Sequence, residues 1–135
     1  MKRIIIIFFI LFSYNLIGQN YKISQSANDT TIYSSVNKNA MFLNGEKAMY
    51  QFIYSKMNFK KIFEDGDVQG FIKIEFIVGK DGSLSNIKVI KSLDQYCDND
   101  AVRVVKLMPK WSPGEINGQK VRTKKQISIK IKLEY

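Results

Sequence analysis

Few side chains of this 135-residue chain could carry out chemistry by themselves. Histidine is absent, and Cys97 is the sole cysteine. The chain therefore lacks the commonest general base, the usual zinc ligand and every serine–histidine or cysteine–histidine nucleophile. Three acids in the segment Glu64–Asp67 flank a glycine, but their spacing does not match an EF-hand loop, whose terminal bidentate glutamate is missing. We expect no catalytic residue, no metal site and no cofactor, and we interpret these acids as a solvated turn.

The single cysteine excludes an intramolecular disulfide. In an oxidising compartment Cys97 is either buried or available for a link between molecules. Burial is favoured, because free cysteine is among the most buried residue types.

Trp111, the only tryptophan, lies between two prolines in the segment Met108–Gly114, which reads MPKWSPG. Proline cannot continue a helix, so the helical pattern that precedes this segment must end at or before Met108. A tryptophan braced in this way could be an exposed recognition residue. Packing over the sheet and a helix end is the favoured interpretation.

Basic residues outnumber acidic ones by 21 to 12, which gives a formal charge of +9. A solvated face that keeps a small domain soluble explains this excess, and an acidic partner or an anionic membrane surface would also be attracted to it. Predicted export argues against nucleic acid. The excess is concentrated late in the chain, at Lys106, Lys110, Lys120, Arg122, Lys124, Lys125, Lys130 and Lys132.

The first eighteen residues have the pattern of a secretory signal peptide. Lys2 and Arg3 form a basic start, Ile4–Phe12 is an unbroken apolar run, and the small Gly18 precedes Gln19. The run is shorter than the roughly 20 residues that a membrane-spanning helix needs. We predict a signal peptide over residues 1–18 and a periplasmic location. An uncleaved anchor is the alternative, and only then would the protein associate with the inner membrane.

Residues 19–39 form a polar leader, with a short strand predicted at Thr31–Val36. Apolar residues spaced by three and four predict a helix over Gly45–Met57. A second helix is predicted at about Asp98–Met108, with Asp98 or Asn99 as its N-cap.

Alternating apolar and polar residues predict a hairpin of two strands, Phe71–Val78 and Ser85–Lys91, joined at an Asp-Gly turn. A long closing strand is predicted over Val121–Tyr135, with alternate residues on a buried face. The order helix, strand, strand, helix, strand predicts an α+β domain over residues 40–135. In this two-layer fold, two helices cover one face of a three-stranded antiparallel sheet.

From Ala40 to the last residue, the chain resembles the C-terminal domain of TonB-type energy transducers, especially the version common in the Bacteroidetes. The family's typical entry motif is Pro-Gly-Gly, and Leu43-Asn44-Gly45 stands here instead. The leader would reach at most roughly 70 Å when fully stretched, and both prolines of the chain lie inside the domain. The resemblance thus supports the fold and binding mode more than force transmission. The shared motifs, in family order, are Ala40-Met41-Phe42, Gly45-Glu46, Gly70, Phe76-Ile77-Val78, Asp81-Gly82, Val89-Ile90, Ser92, Asp98, Ala101, Val105, MPKWSPG, Gly118 and Val121.

The resemblance implies a non-enzymatic protein that binds the short N-terminal box of outer-membrane receptors in energy-coupled transmembrane transport. In the family, the domain lends a sheet edge to its partner, which is β-strand addition. The closing strand is the candidate docking element here. An exported adaptor or assembly subunit that keeps the fold without energy transduction is the alternative, and a homodimer is left open. The candidate partner-binding residues are Lys125, Ile127, Ile129, Lys130, Ile131, Lys132 and Trp111.

Overall fold

A computed structural model describes residues 30–64, 66 and 68–132. The predicted signal peptide, most of the leader and the last three residues lie outside the described residues. The compact unit that contains the domain begins at Thr31, so the end of the predicted leader belongs to that unit.

Three long strands and two longer helices form the framework, and three short elements complete it. In chain order the elements are β1 (Ile32–Tyr33), α1 (Gly45–Lys56), the single-turn α2 (Phe59–Ile62), β2 (Gly70–Val78), β3 (Leu84–Lys91), α3 (Gln95–Lys106), β4 (Gly114–Ile116) and β5 (Gln119–Ile131).

The predicted α+β class and the antiparallel core of the sheet are confirmed. β2 lies between β3 and β5, and it pairs with β5 without interruption from Gly70–Ile131 to Val78–Thr123. The sheet is not limited to three antiparallel strands, however. β1 adds to β5 in parallel at Arg122 and Thr123, and β4 forms a hairpin with the start of β5. The short strand predicted at Thr31–Val36 is confirmed as β1, although it spans only Ile32–Tyr33. The three-residue β4 was not predicted, because so short an element shows no clear period of two in the sequence.

One face of the sheet carries the core. The alternating apolar side chains of β2 and β5 pack against Met49 and Ile53 of α1 and against the apolar stripe of α3. Cys97 lies in that stripe and is fully buried, as favoured from the sequence. The buried sheet residues of this face are Ile72, Ile74, Phe76, Val78, Ile127, Ile129 and Ile131.

α3, the second of the two helices predicted from the sequence, begins three residues earlier than predicted. Its N-cap is Asp94, whose carboxylate accepts hydrogen bonds from the backbone N–H groups of Tyr96 (2.9 Å) and Cys97 (3.1 Å). Asp98, predicted as the cap, instead accepts from Leu93 N at 3.0 Å and from the Ser92 hydroxyl. It therefore fastens the end of β3 to the first turn of α3.

The MPKWSPG segment forms the corner between α3 and β4. α3 ends at Lys106, two residues before Met108, in agreement with the proline argument. Trp111 N then donates to the carbonyl of Gly82 in the β2–β3 turn at 2.8 Å. The two turns touch so closely that a Cβ at Gly82 would lie 2.0 Å from the Trp111 carbonyl oxygen.

Candidate functional site

One side of β5 is left largely unpaired by the described strands. β2 pairs with β5 along its whole length from Thr123 to Ile131, and β1 covers the opposite side only at Arg122 and Thr123. We call the uncovered stretch, Lys124–Ile131 on the side away from β2, the open side of β5. A strand with one unpaired side can accept another strand through main-chain hydrogen bonds.

A groove of about 490 Å³ runs beside part of the open side. Its walls are residues Lys125–Ser128 of β5 and the segment Asn39–Phe42. Met49 and Tyr50 of α1 and Trp111 also line it, and Glu46 and Lys125 bring opposite charges to it. The groove therefore offers a main-chain edge next to apolar surface.

The structure divides the predicted site residues into two groups. The side chains of Ile127, Ile129 and Ile131 face the helices and are buried, so a partner could reach only their main chain. Lys130 and Lys132 are exposed, and Lys125 is half-buried beside the groove. Strand addition needs this combination, because an added strand bonds to the backbone while exposed side chains select it.

Trp111 belongs to the core, as the favoured interpretation expected. It is 5 % exposed and makes edge-to-face contacts with Phe42 and Phe76, at ring-centroid distances of 5.9 and 5.2 Å. Its indole Nε1 has no hydrogen-bond partner among the described residues. A buried ring held in this way shapes the groove from within more than it offers a contact surface.

The sheet face opposite the helices is basic around a single carboxylate. Glu75 accepts a hydrogen bond from the Gln126 side chain at 2.8 Å, and Lys88 and Lys124 lie 3.3 and 3.8 Å from it. The Gln126 hydrogen bond, together with the two ammonium groups, lowers the pKa of Glu75. Lys130 lies over the ring of Phe71, 6.0 Å from its centroid. Exposed lysines thus outnumber acids on this face, which favours an acidic partner.

Other chemistry finds little support in the described residues. They contain no group of three or more potential metal ligands. Burial, followed by the charge of Asp94, raises the pKa of the Cys97 thiol to about 11, which suppresses the nucleophilic thiolate. Asp100 lies in a second cleft, between α1 and α3. Its carboxylate accepts hydrogen bonds from the Arg103 side chain and from the backbone N–H of Asn58, each at 2.8 Å. That carboxylate connects neighbouring helices, and this structural role accounts for it.

Two site residues were not found from the sequence. Tyr50 and Tyr54 of α1 reach the open side of β5, where their hydroxyls donate to main-chain carbonyls. A spacing of four residues on a helix indicates by itself only the flank of an amphipathic helix. No pattern within a helix specifies which distant strand its side chains will touch.

A comparison of the sequence with family profiles shows which family the chain belongs to. The profile described as "Gram-negative bacterial TonB protein C-terminal" matches residues 61–133, which is more than half of the chain. The chain belongs to the TonB C-terminal family. The matched region contains all three long strands, α3 and the MPKWSPG corner.

A solved structure is also similar to this chain. It is the NMR solution structure of the Helicobacter pylori TonB C-terminal domain, which is 24 % identical in sequence. The match covers 63 % of this chain and 77 % of that one, with a TM-score of 0.48. No curated protein sequence matches the chain.

Membership of the TonB family gives the chain a TonB-like protein-binding role in envelope transport. The family is non-enzymatic, and its domains interact with outer-membrane proteins. Proteins with TonB-like domains belong to the cell envelope. Within the described part of this chain, no helix has both the length and the apolar character needed to cross a membrane.

Proposed function

We propose that this TonB-like domain binds extended segments of outer-membrane transporters or receptors by β-strand addition to the open side of β5, in energy-coupled transport. The observation that carries the proposal is the stretch Lys124–Ile131, which no described strand pairs on the side away from β2 and which lies beside a groove and among exposed lysines. Main-chain hydrogen bonds would supply affinity, and the lysines would favour acidic segments.

The other edge of the sheet is a poorer docking site. In β3 the register against β2 shifts between Glu75 and Ile77, and Asn86 has a positive φ of 50°. A bulge of this kind bends the strand and interrupts regular pairing, and edge lysines such as Lys88 also discourage it. β5 has no register shift against β2. This difference supports β5 over β3 as the docking strand.

The proposal includes the addressing predicted from the sequence. Residues 1–18 would direct export to the periplasm, residues 19–39 would serve as the leader, and the binding domain would extend from residue 40 to 135. Sequencing the N-terminus of the protein isolated from cells tests whether Met1–Gly18 is removed.

Photocrosslinking in intact cells tests the docking strand. A photoreactive side chain in place of Lys130, which is exposed on β5, should capture outer-membrane receptors that mass spectrometry can identify. The same group in place of Lys91, exposed at the end of β3, is the matched control and should capture few of them. Capture of receptors from Lys91 alone would contradict the choice of β5. Reproducible capture of soluble periplasmic proteins alone from Lys130 would favour the exported adaptor.

A further inference from the structure

Two tyrosines of the first helix already occupy hydrogen-bond acceptors of the last strand. The Tyr50 hydroxyl donates to the carbonyl oxygen of Ser128, and the Tyr54 hydroxyl donates to that of Lys130, each at 3.1 Å. The two rings stack at a centroid distance of 6.2 Å with an angle of 23° between them. The pair therefore acts as one unit that ties α1 to β5.

The occupied carbonyls point to the open side of β5. Main-chain groups alternate between the two sides of a strand. Gly79 N donates to Ser83 O, so the odd-numbered residues of β2 face β3 and its even-numbered residues face β5. Even-numbered residues of β2 pair with odd-numbered residues of β5. Ser128 and Lys130 consequently direct their main-chain groups away from β2.

The spacing of the tyrosines suits this arrangement. Residues four apart in a helix are separated by about 6.0 Å along its axis. Residues two apart in an antiparallel strand are separated by about 6.8 Å. Neighbouring tyrosines on α1 can therefore reach successive outward carbonyls of β5 without distortion of either element.

We propose that Tyr50 and Tyr54 form a latch that covers the far half of the docking edge and that a partner strand must displace. This inference rests on the proposed function, because an added strand would need the same two carbonyls for its own N–H groups. Tyr50 lines the groove beside the near half at Lys125–Ile127, but the two tyrosine hydroxyls bond only to the main chain of the far half. An acidic extended segment would pair there first and then replace the hydroxyls at Ser128 and Lys130.

A latch of this kind differs from the protection of the other edge. The bulge at Asn86 is built into the backbone of β3 and cannot be removed without a change of register. The tyrosine hydroxyls can leave by side-chain rotation alone, while β5 keeps its pairing with β2. Covering an edge prevents unwanted strand pairing, and a cover made of side chains keeps that edge available.

The test compares phenylalanine variants of the full chain. Tyr50→Phe/Tyr54→Phe keeps the stacked rings and removes the hydroxyls. The control, Tyr96→Phe, removes a hydroxyl from an exposed tyrosine of α3. The probe is the fluorescein-labelled peptide Glu-Val-Thr-Val-Thr-Val-Glu, whose β-branched residues favour an extended strand and whose acids suit the lysines. Fluorescence anisotropy gives its affinity, and amide hydrogen exchange shows where it binds.

The latch predicts that the double variant binds the peptide about tenfold more tightly than the wild type. In the variant, the hydrogen bonds from the two tyrosine hydroxyls no longer compete with the peptide for the carbonyls of Ser128 and Lys130. Tyr96→Phe should bind like the wild type, and Tyr50→Phe alone should lie between them. Equal affinities for all four proteins, with protection at Ser128 and Lys130, would overturn the latch and leave strand addition standing. No protection of β5 in any of the proteins would overturn strand addition itself.

Discussion

At the scale of single residues, the contact between Gly82 and Trp111 decides whether the MPKWSPG corner can form. Gly82 has a φ of +84°, and a Cβ there would collide with the Trp111 carbonyl oxygen at 2.0 Å. The neighbouring atoms are backbone, so they cannot rotate away. The only tryptophan is thus positioned by a glycine in a different turn.

We expect Gly82→Ala to be far more destabilising than Gly118→Ala. Gly118 has a similar φ of +78°, but nothing lies within 4 Å of a Cβ there. Both alanines incur left-handed strain of about 1–2 kcal/mol, and only the one at position 82 adds a collision. Urea unfolding measures both losses. Equal losses would show that the corner yields easily and that the close contact does not constrain Trp111.

At the scale of elements, the start of α3 depends on Asp94. Its carboxylate accepts hydrogen bonds from the N–H groups of Cys97 and Tyr96, which would otherwise lack partners in the first turn. The bond from Cys97 N–H is the largest cause of a lowered pKa at Asp94, and the bond from Tyr96 N–H adds to it. Asn99, which the sequence also offered as a cap, lies inside the helix.

Asp94→Ala should lower the free energy of unfolding by about 1 kcal/mol, the usual cost of losing a cap. Asn99→Ala, the control, should be neutral or slightly stabilising because alanine has the higher helix propensity. A group with a lowered folded-state pKa stabilises above its unfolded pKa, and this contribution is lost as pH falls through the folded value. The loss caused by Asp94→Ala should therefore shrink below pH 3.8, the ordinary value. Chemical unfolding at several pH values measures this, and a loss that grows on acidification would contradict the capping role.

The elements that could be predicted from the sequence are those with local causes. Period-two alternation identified β2, β3 and β5, the Asp-Gly turn identified their hairpin, and Pro109 limited α3. The missed features have distant causes. The sequence predicted a short strand at Thr31–Val36, but not that Ile32–Tyr33 would pair with β5 roughly ninety positions away. Nor did it predict that the Tyr50 hydroxyl would bond to a carbonyl 78 positions along the chain. Neither contact produces a periodic pattern in the sequence.

The candidate site divides in the same way. The sequence supplied β5 as the candidate docking strand, and its alternation correctly separated the outward lysines from the inward isoleucines. It could not predict which side of β5 would stay unpaired, since that depends on where β1 and α1 lie. The structure also explains why the buried isoleucines matter: Ile127, Ile129 and Ile131 fix the strand against the core and so present its outer side.

At the scale of the whole molecule, the fold separates stability from binding. The helices cover one sheet face, the other face is basic around Glu75, and the open side of β5 lies at the boundary between them. An acidic strand that docks at this boundary would meet favourable charge without disturbing the core. Such a division suits a domain that binds a partner without unfolding.

Amide hydrogen exchange along both sheet edges tests the central claim most directly. It would be measured on the full chain, alone and with the receptor segment that crosslinking from Lys130 identifies. Strand addition predicts that exchange slows at Ser128 and Lys130, whose N–H groups face the open side, and stays unchanged along β3. Slower exchange along β3, or no change at either edge while the segment is bound, would contradict the account.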